Sequence, residues 1–337
     1  TITMGDSNVN LLRIPGLGSS DGHVLTYSSS SGGIVLAAAS GGGVTGKVEG
    51  TDFSGSMIVG HTTTGTLSTA SNNTAVGINA MDAITSGDNN VAIGHNALSQ
   101  EDAGGKNVAV GSSALTALNG GASGHNTAVG YYAGRVMNSG AQNTLIGSQA
   151  GENITSAYGN VAIGYDALNS EDAHGANVCI GRSALTTLNA GADGHNVAIG
   201  YFAAYPQTTG VKNTVVGSEA GYALTTGSNN ISIGYQALYT EDTNGQNIAI
   251  GSEALKTQNG ADGNIAIGYK AGTSLTTGLA NTAIGYQALK DETTDGFNIA
   301  IGYSAMSSSQ LSARNIAIGY QALNNVTNSS STDTNNI

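Results

Sequence analysis

The chain has 337 residues with a net charge of −12; only 9% are charged, and it holds 51 glycines, two prolines and no tryptophan. Such sparse charge does not fit a disordered polyelectrolyte, and glycine does not recur every third residue as collagen requires. Ten basic residues, spread thinly, argue against nucleic acid or an anionic membrane surface as a partner whose charge must be neutralised.

Residues 1–60 are rich in glycine and serine, and IPGLGSSDGHVLTYSSSSGGI from Ile14 is similar to the short glycine-rich β segments that precede a shaft in phage fibres, a resemblance that implies a β segment joining a longer shaft. The chain opens at Thr1 with no initiator methionine and no signal-peptide pattern, as a processed product or a fragment would. Its longest apolar run, Ile34 to Ala39, is too short to span a bilayer, so no membrane insertion is expected.

From residue 61 to about 325 the chain repeats itself. An asparagine opens the same phrase at Asn73, Asn90, Asn107, Asn126, Asn143, Asn160, Asn177, Asn196, Asn213, Asn230, Asn247, Asn264, Asn281, Asn298 and Asn315, at steps of 17 residues except for two of 19. The phrase reads NVAIGHNAL from Asn90 and NTAIGYQAL from Asn281, and Thr, Ser, Gly, Asn and Asp fill the stretches between. Counting from the asparagine, positions 1 and 3 are β-branched, position 2 is usually alanine, position 4 is always glycine and position 7 is always alanine. Period-two alternation that ends at glycine predicts a short strand and a turn, and excludes a helix.

One such unit cannot bury enough apolar surface to stand alone, so the coils must stack, each strand pairing with its copy above and below. Fifteen layers predict a rod on the order of 70 Å long. The fold expected is therefore all-β: a parallel β-solenoid, or β-roll, of about fifteen 17-residue coils, with a polar tail at 326–337. The β-branched pairs, such as Val91 with Ile93, are expected to fill the interior, leaving the alanine column free for close packing against another chain. The asparagines are expected to ladder their amides up the stack or to close the preceding turn.

A second period of 70 residues, four coils, relates the phrases at Asn90, Asn160 and Asn230, and both 19-residue coils hold the same place in it. Cys179 replaces a repeat alanine and reads as a small buried apolar residue. The acidic pairs Glu101–Asp102, Glu171–Asp172, Glu241–Asp242 and Asp291–Glu292 recur in comparable turns, which reads as solvated turn residues, with weak calcium binding as the alternative, and not as a catalytic pair. His125 and His195 are equivalent, each before a phrase asparagine, and form a possible axial or turn ion site; no zinc-ligand spacing is present. Neither a nucleophile elbow nor a phosphate loop occurs in strand-to-helix context, so neither an enzyme nor a cofactor is expected.

Tyrosine fills position 5 in eight coils and is expected to cover the coil corner. The local clusters Tyr131 with Tyr132, and Tyr201 with Phe202 and Tyr205, are possible glycan contacts, and Pro206 predicts a protruding turn beside the second.

NTAIGYQAL and NVAIGYDAL resemble the head repeats of trimeric autotransporter adhesins, and still more the AIGYQAL arrays of phage tail fibres, across Asn73 to about Leu323. The 17-residue coil is longer than the usual adhesin head repeat. The resemblance implies a left-handed parallel β-roll, three chains side by side as a homotrimer, and a segment that gives rigid reach and contact with a host-surface polysaccharide or receptor. It implies a place in the virion among other tail proteins, upstream of a chaperone domain that is removed after assembly. A bacterial trimeric surface adhesin is the alternative, and a polysaccharide-cleaving tailspike a more distant one.

Overall fold

The computed structural model describes residues 23–28, 33–38, 46–50, 53–59, 69–120, 124–170, 173–241, 243–309 and 313–326. Of the expected N-terminal segment it describes four strands, β1 (His23–Ser28), β2 (Gly33–Ala38), β3 (Gly46–Gly50) and β4 (Phe53–Val59), each antiparallel to the next. The tail beyond residue 326 lies outside the described residues, as do Glu171, Asp172 and Asp242.

The chain divides into two compact units, residues 1–158 and 159–337. In the first, β5 (Thr74–Val76), β6 (Val91–Ile93), β7 (Val108–Val110), β8 (Thr127–Val129) and β9 (Thr144–Ile146) pair in parallel, in chain order, behind β4. In the second, β10 (Val161–Ile163), β11 (Val178–Ile180), β12 (Val197–Ile199), β13 (Thr214–Val216) and β14 (Ile231–Ile233) pair in the same way. The series continues through β15 (Ile248–Ile250), β16 (Ile265–Ile267), β17 (Thr282–Ile284), β18 (Ile299–Ile301) and β19 (Ile316–Ile318). Each repeat is thus one coil of a parallel β-solenoid, as its period predicts. β4 adds a layer that the repeats do not announce, with Met57, Ile58 and Val59 opposite Thr74, Ala75 and Val76. Both 19-residue coils keep register, Val108 facing Thr127 and Val178 facing Val197, so the extra residues are absorbed in turns without a slip.

The two faces of the strand are the reverse of the expectation. Position 2 points inward: Ala92, Ala162, Cys179 and Ala249 are fully buried, while the β-branched residues on either side are half-buried or exposed, Ile93 at 42% and Ile146 at 38%. The interior is too narrow for more. Position 7 alanines such as Ala254, position 8 leucines such as Leu255 and position 11 residues such as Leu275 already fill it from the other walls. The exceptions at position 2 follow from volume. Leu145 fits because position 8 is glycine in its own coil and the one before; a Cβ on Gly151 or on Gly134 would lie 2.8 Å from a methyl of Leu145. Val215 likewise faces Gly221, and Ser232 satisfies its buried hydroxyl by donating to the Ala237 carbonyl at 2.7 Å.

The corners are tight. Besides the position 4 glycines, the residue before each asparagine and those at positions 6 and 8 are left-handed whenever a coil must turn there: Asn229 at φ 60°, Gln236 at 52° and Leu238 at 50° are one set. Leucine and glutamine do not favour that region, so stacking holds it in place. The asparagine column secures the turn as expected, in a definite pattern. The Asn264 side-chain amide donates to the Gly278 carbonyl at 2.8 Å, and its Oδ1 accepts from the backbone N–H of Asn281 at 2.8 Å.

Position 11 holds a second correction. Glu101, Glu241 and Glu292 are not solvated but buried in the column that most other coils fill with Leu, Ile, Met or Gln. Their carboxylates accept backbone N–H bonds from the following turn, Glu241 from Asn244 at 2.9 Å and Glu292 from Thr293 at 2.9 Å and Asp295 at 3.2 Å. One oxygen of Glu292 has no partner. Burial raises the pKa of Glu101 and Glu292 above the ordinary 4.5, and the turn's N–H groups offset this only in part. Folding then takes up a proton as pH rises from 4.5 to the folded value, so stability is greatest at the acid side and falls across that window. Glu292→Gln, which places there the side chain found at Gln207 and Gln258, is expected to raise the melting temperature at neutral pH and to flatten this fall. Thermal melts between about pH 4 and pH 8 check it; an unchanged slope would clear Glu292 of responsibility.

Candidate functional site

Glycine at position 4 ends each strand, positions 5 and 6 then face outward, 7 and 8 turn in, and 9 faces outward again. One corner of the coil therefore carries three side-chain columns with few constraints from the core, and most of the aromatics of the repeats collect there.

At position 5, Tyr269, Tyr286, Tyr303 and Tyr320 stack in successive coils with ring centroids 5.2, 5.0 and 5.3 Å apart. They are exposed, and stand out from the corner instead of covering it. Stacked rings hide one another's faces and leave edges and hydroxyls in solvent. In earlier coils the column is interrupted: Arg182 lies between Tyr165 and Tyr201, its guanidinium 5.8 and 5.7 Å from their centroids, and Ser218 and Ser252 follow as alternate members.

Tyr131 and Tyr132 stack at 3.8 Å, and Arg135 lies 4.9 Å over Tyr132 while pairing with Glu152 at 2.8 Å. Tyr201, Phe202 and Tyr205 are also brought together, with centroids 4.3 and 4.8 Å apart. This second cluster is larger than the local sequence shows. Tyr205, Tyr222 and Tyr239 form a position 9 column at 5.9 and 5.1 Å, and Phe202 meets Tyr222 edge-on at 6.2 Å. Three coils thus present Tyr201, Ser218 and Tyr235 at position 5, Phe202, Glu219 and Gln236 at position 6, and three tyrosines at position 9.

Glu219 sits at the centre of that grid and accepts a hydrogen bond from the Gln236 amide at 2.7 Å. Partial burial, then the Glu219 charge, raise the Tyr239 phenol above its ordinary value and keep its proton in place. Tyr235 belongs to the position 5 tyrosines already expected; Tyr222, Tyr239 and Glu219 do not stand out in the sequence, although the 17-residue step from Tyr205 to Tyr222 to Tyr239 is a signal that finds the column. Pro206 makes no protruding turn: it is half-buried, and Ala204 and Thr208 on either side keep their bonds to Ala220 and Thr225.

His125 and His195 are exposed in left-handed turn positions, at φ 50° and 48°. Among the described residues no group of three or more His, Cys, Asp or Glu side chains is placed to hold a metal ion, and no helix is long and apolar enough to cross a membrane. No family model, curated protein or solved structure matches this chain.

Proposed function

We propose that the chain is a structural and adhesive segment of a homotrimeric fibre, built as a phage tail fibre is. The observation that carries this is the outward strand face. In the second unit ten strands present two β-branched residues each, from Val161 and Ile163 to Ile316 and Ile318, without one charged side chain among them. Strands of three residues in ten layers make a face on the order of 450 Å², comparable to the largest apolar patch of a monomer, which is often functional.

Two further copies of the same chain suit it best. Identical flat ladders of Ile, Val and Thr are complementary to one another in repeat and in chemistry, and converging three of them on an axis hides all of them from water. The rigid stack supplies reach, and the aromatic corner, repeated on three chains, supplies multivalent contact with a host-surface glycan or receptor. On this reading the protein has no catalytic role and acts at the virion surface; the phage assignment itself rests on the AIGYQAL phrase.

Light scattering of the intact protein in solution is expected to give the mass of three chains, and Ile250→Lys with Ile267→Lys to give one chain with the β-sheet circular dichroism retained. A wild-type mass of one chain would end the fibre reading.

A further inference from the structure

Three glutamates lie at the aromatic corner, and two of them are matched by cations from the chain itself. Glu152 pairs with Arg135, which also covers Tyr132. Glu253 has Lys256 at 3.5 Å and Lys270 at 3.7 Å, the latter 5.2 Å over Tyr269. In each case the carboxylate meets a cation that also lies over a ring, Arg135 for Glu152 and Lys270 for Glu253. Glu219 has the carboxylate and the rings, yet among the described residues no lysine or arginine pairs with it, and the Gln236 side chain that donates to it is a neutral amide.

The space for a cation is there as well. Ser218 interrupts the position 5 column, so Tyr201 and Tyr235 are two layers apart, about 9.6 Å at the spacing of a parallel ladder. A cation midway would lie about 5 Å from both rings, inside the cation–π range. The preceding gap in the same column, between Tyr165 and Tyr201, is filled at that depth by the Arg182 guanidinium. Ser218 is too short to fill the next gap as Arg182 fills that one.

We propose that the gap at Ser218, walled by Tyr201 and Tyr235 and charged by Glu219, binds an organic cation supplied from outside, a guanidinium or a methylated ammonium group. The proposal deepens the adhesive reading of this corner, on which it rests, by giving its ligand a charge. The chemistry is shared by an arginine side chain on a protein and a choline group on a glycan or lipid. The rings favour a weakly hydrated, delocalised or methylated cation over a bare ammonium ion, whose water is costly to remove.

The protein lacks tryptophan, so its emission is that of its 14 tyrosines, Tyr201 and Tyr235 among them, and the variants below separate the site from the rest. Titration of the whole protein with arginine methyl ester and with choline is expected to change that emission saturably, with the tighter of the two naming the source. Glu219→Gln, which keeps an oxygen for Gln236, is expected to weaken binding about tenfold or more; Ser218→Arg, which copies Arg182, is expected to block it. Equal affinity for 3,3-dimethylbutan-1-ol, the uncharged analogue of choline, would overturn the proposal, as would binding indifferent to Glu219→Gln. A neutral oligosaccharide that binds wild type and Glu219→Gln alike, with neither cation binding, would sink the cation site and leave the glycan reading standing. Silence from cations and oligosaccharides together would end both.

Discussion

Ala249→Leu is expected to be among the most damaging single substitutions in this protein. Ala249 is fully buried in β15, in one core cluster with Ala254 and Leu255 of its own coil, Ala237 and Leu238 of the coil before and Ala271 of the coil after. Three added carbons have no room there, and overpacking costs about 1–3 kcal/mol before any backbone shift propagates through the ladder. The repeat itself shows the remedy. Leu145 occupies the equivalent place where glycines at position 8 make space for it. The double variant Ala249→Leu with Leu255→Gly is therefore expected to recover part of the loss, so that the two changes are strongly non-additive. Ala249→Ser, which reproduces Ser232 and its bond to the position 7 carbonyl, is expected to be nearly neutral by comparison. Urea unfolding of wild type, these three variants and Leu255→Gly alone measures all of this, and a leucine tolerated as readily as serine would contradict the packing described.

Gly234→Ala is expected to cost as much or more, for a different reason. Gly234 has φ +135°, a region that residues with a Cβ scarcely enter, at about 1–3 kcal/mol. An added Cβ would also stand 2.6 Å from the carbonyl of Gly251 in the next coil, and that neighbour is backbone with no rotamer to escape into. The whole glycine column is built this way, φ running from +131° to +143° in all fifteen copies. Gly263 makes the control: it has φ +73°, a Cβ added to it would meet nothing within 4 Å, and Ala280 holds the same place one coil on. Gly263→Asn should therefore unfold within about 1 kcal/mol of wild type. If the two substitutions proved equally mild, the close stacking at position 4 would be wrong.

Much of this architecture is legible from residues alone because it is local or strictly periodic. A 17-residue step, a three-residue strand ending in glycine and an asparagine at every start leave one economical arrangement, and Cys179 is placed by its standing in an alanine column. The buried glutamates are not legible, because adjacent acidic residues look alike in a sequence. Only the coil path sends Glu292 inward and leaves Asp291 outside beside Lys290. The grid around Glu219 is hidden too, since its members come from three coils and meet only once these are stacked.

The repeat, the strand, the turn glycine and the parallel register are all dictated by chemistry within a single phrase of residues. Which side of the strand faces in is not: that choice belongs to the folded coil. Alternation defines two faces, but here both are apolar, and hydrophobicity alone selects isoleucine for the interior. The narrow cross-section of the coil selects alanine instead, and the larger residues are left on the outside, where the proposed partner chains would cover them.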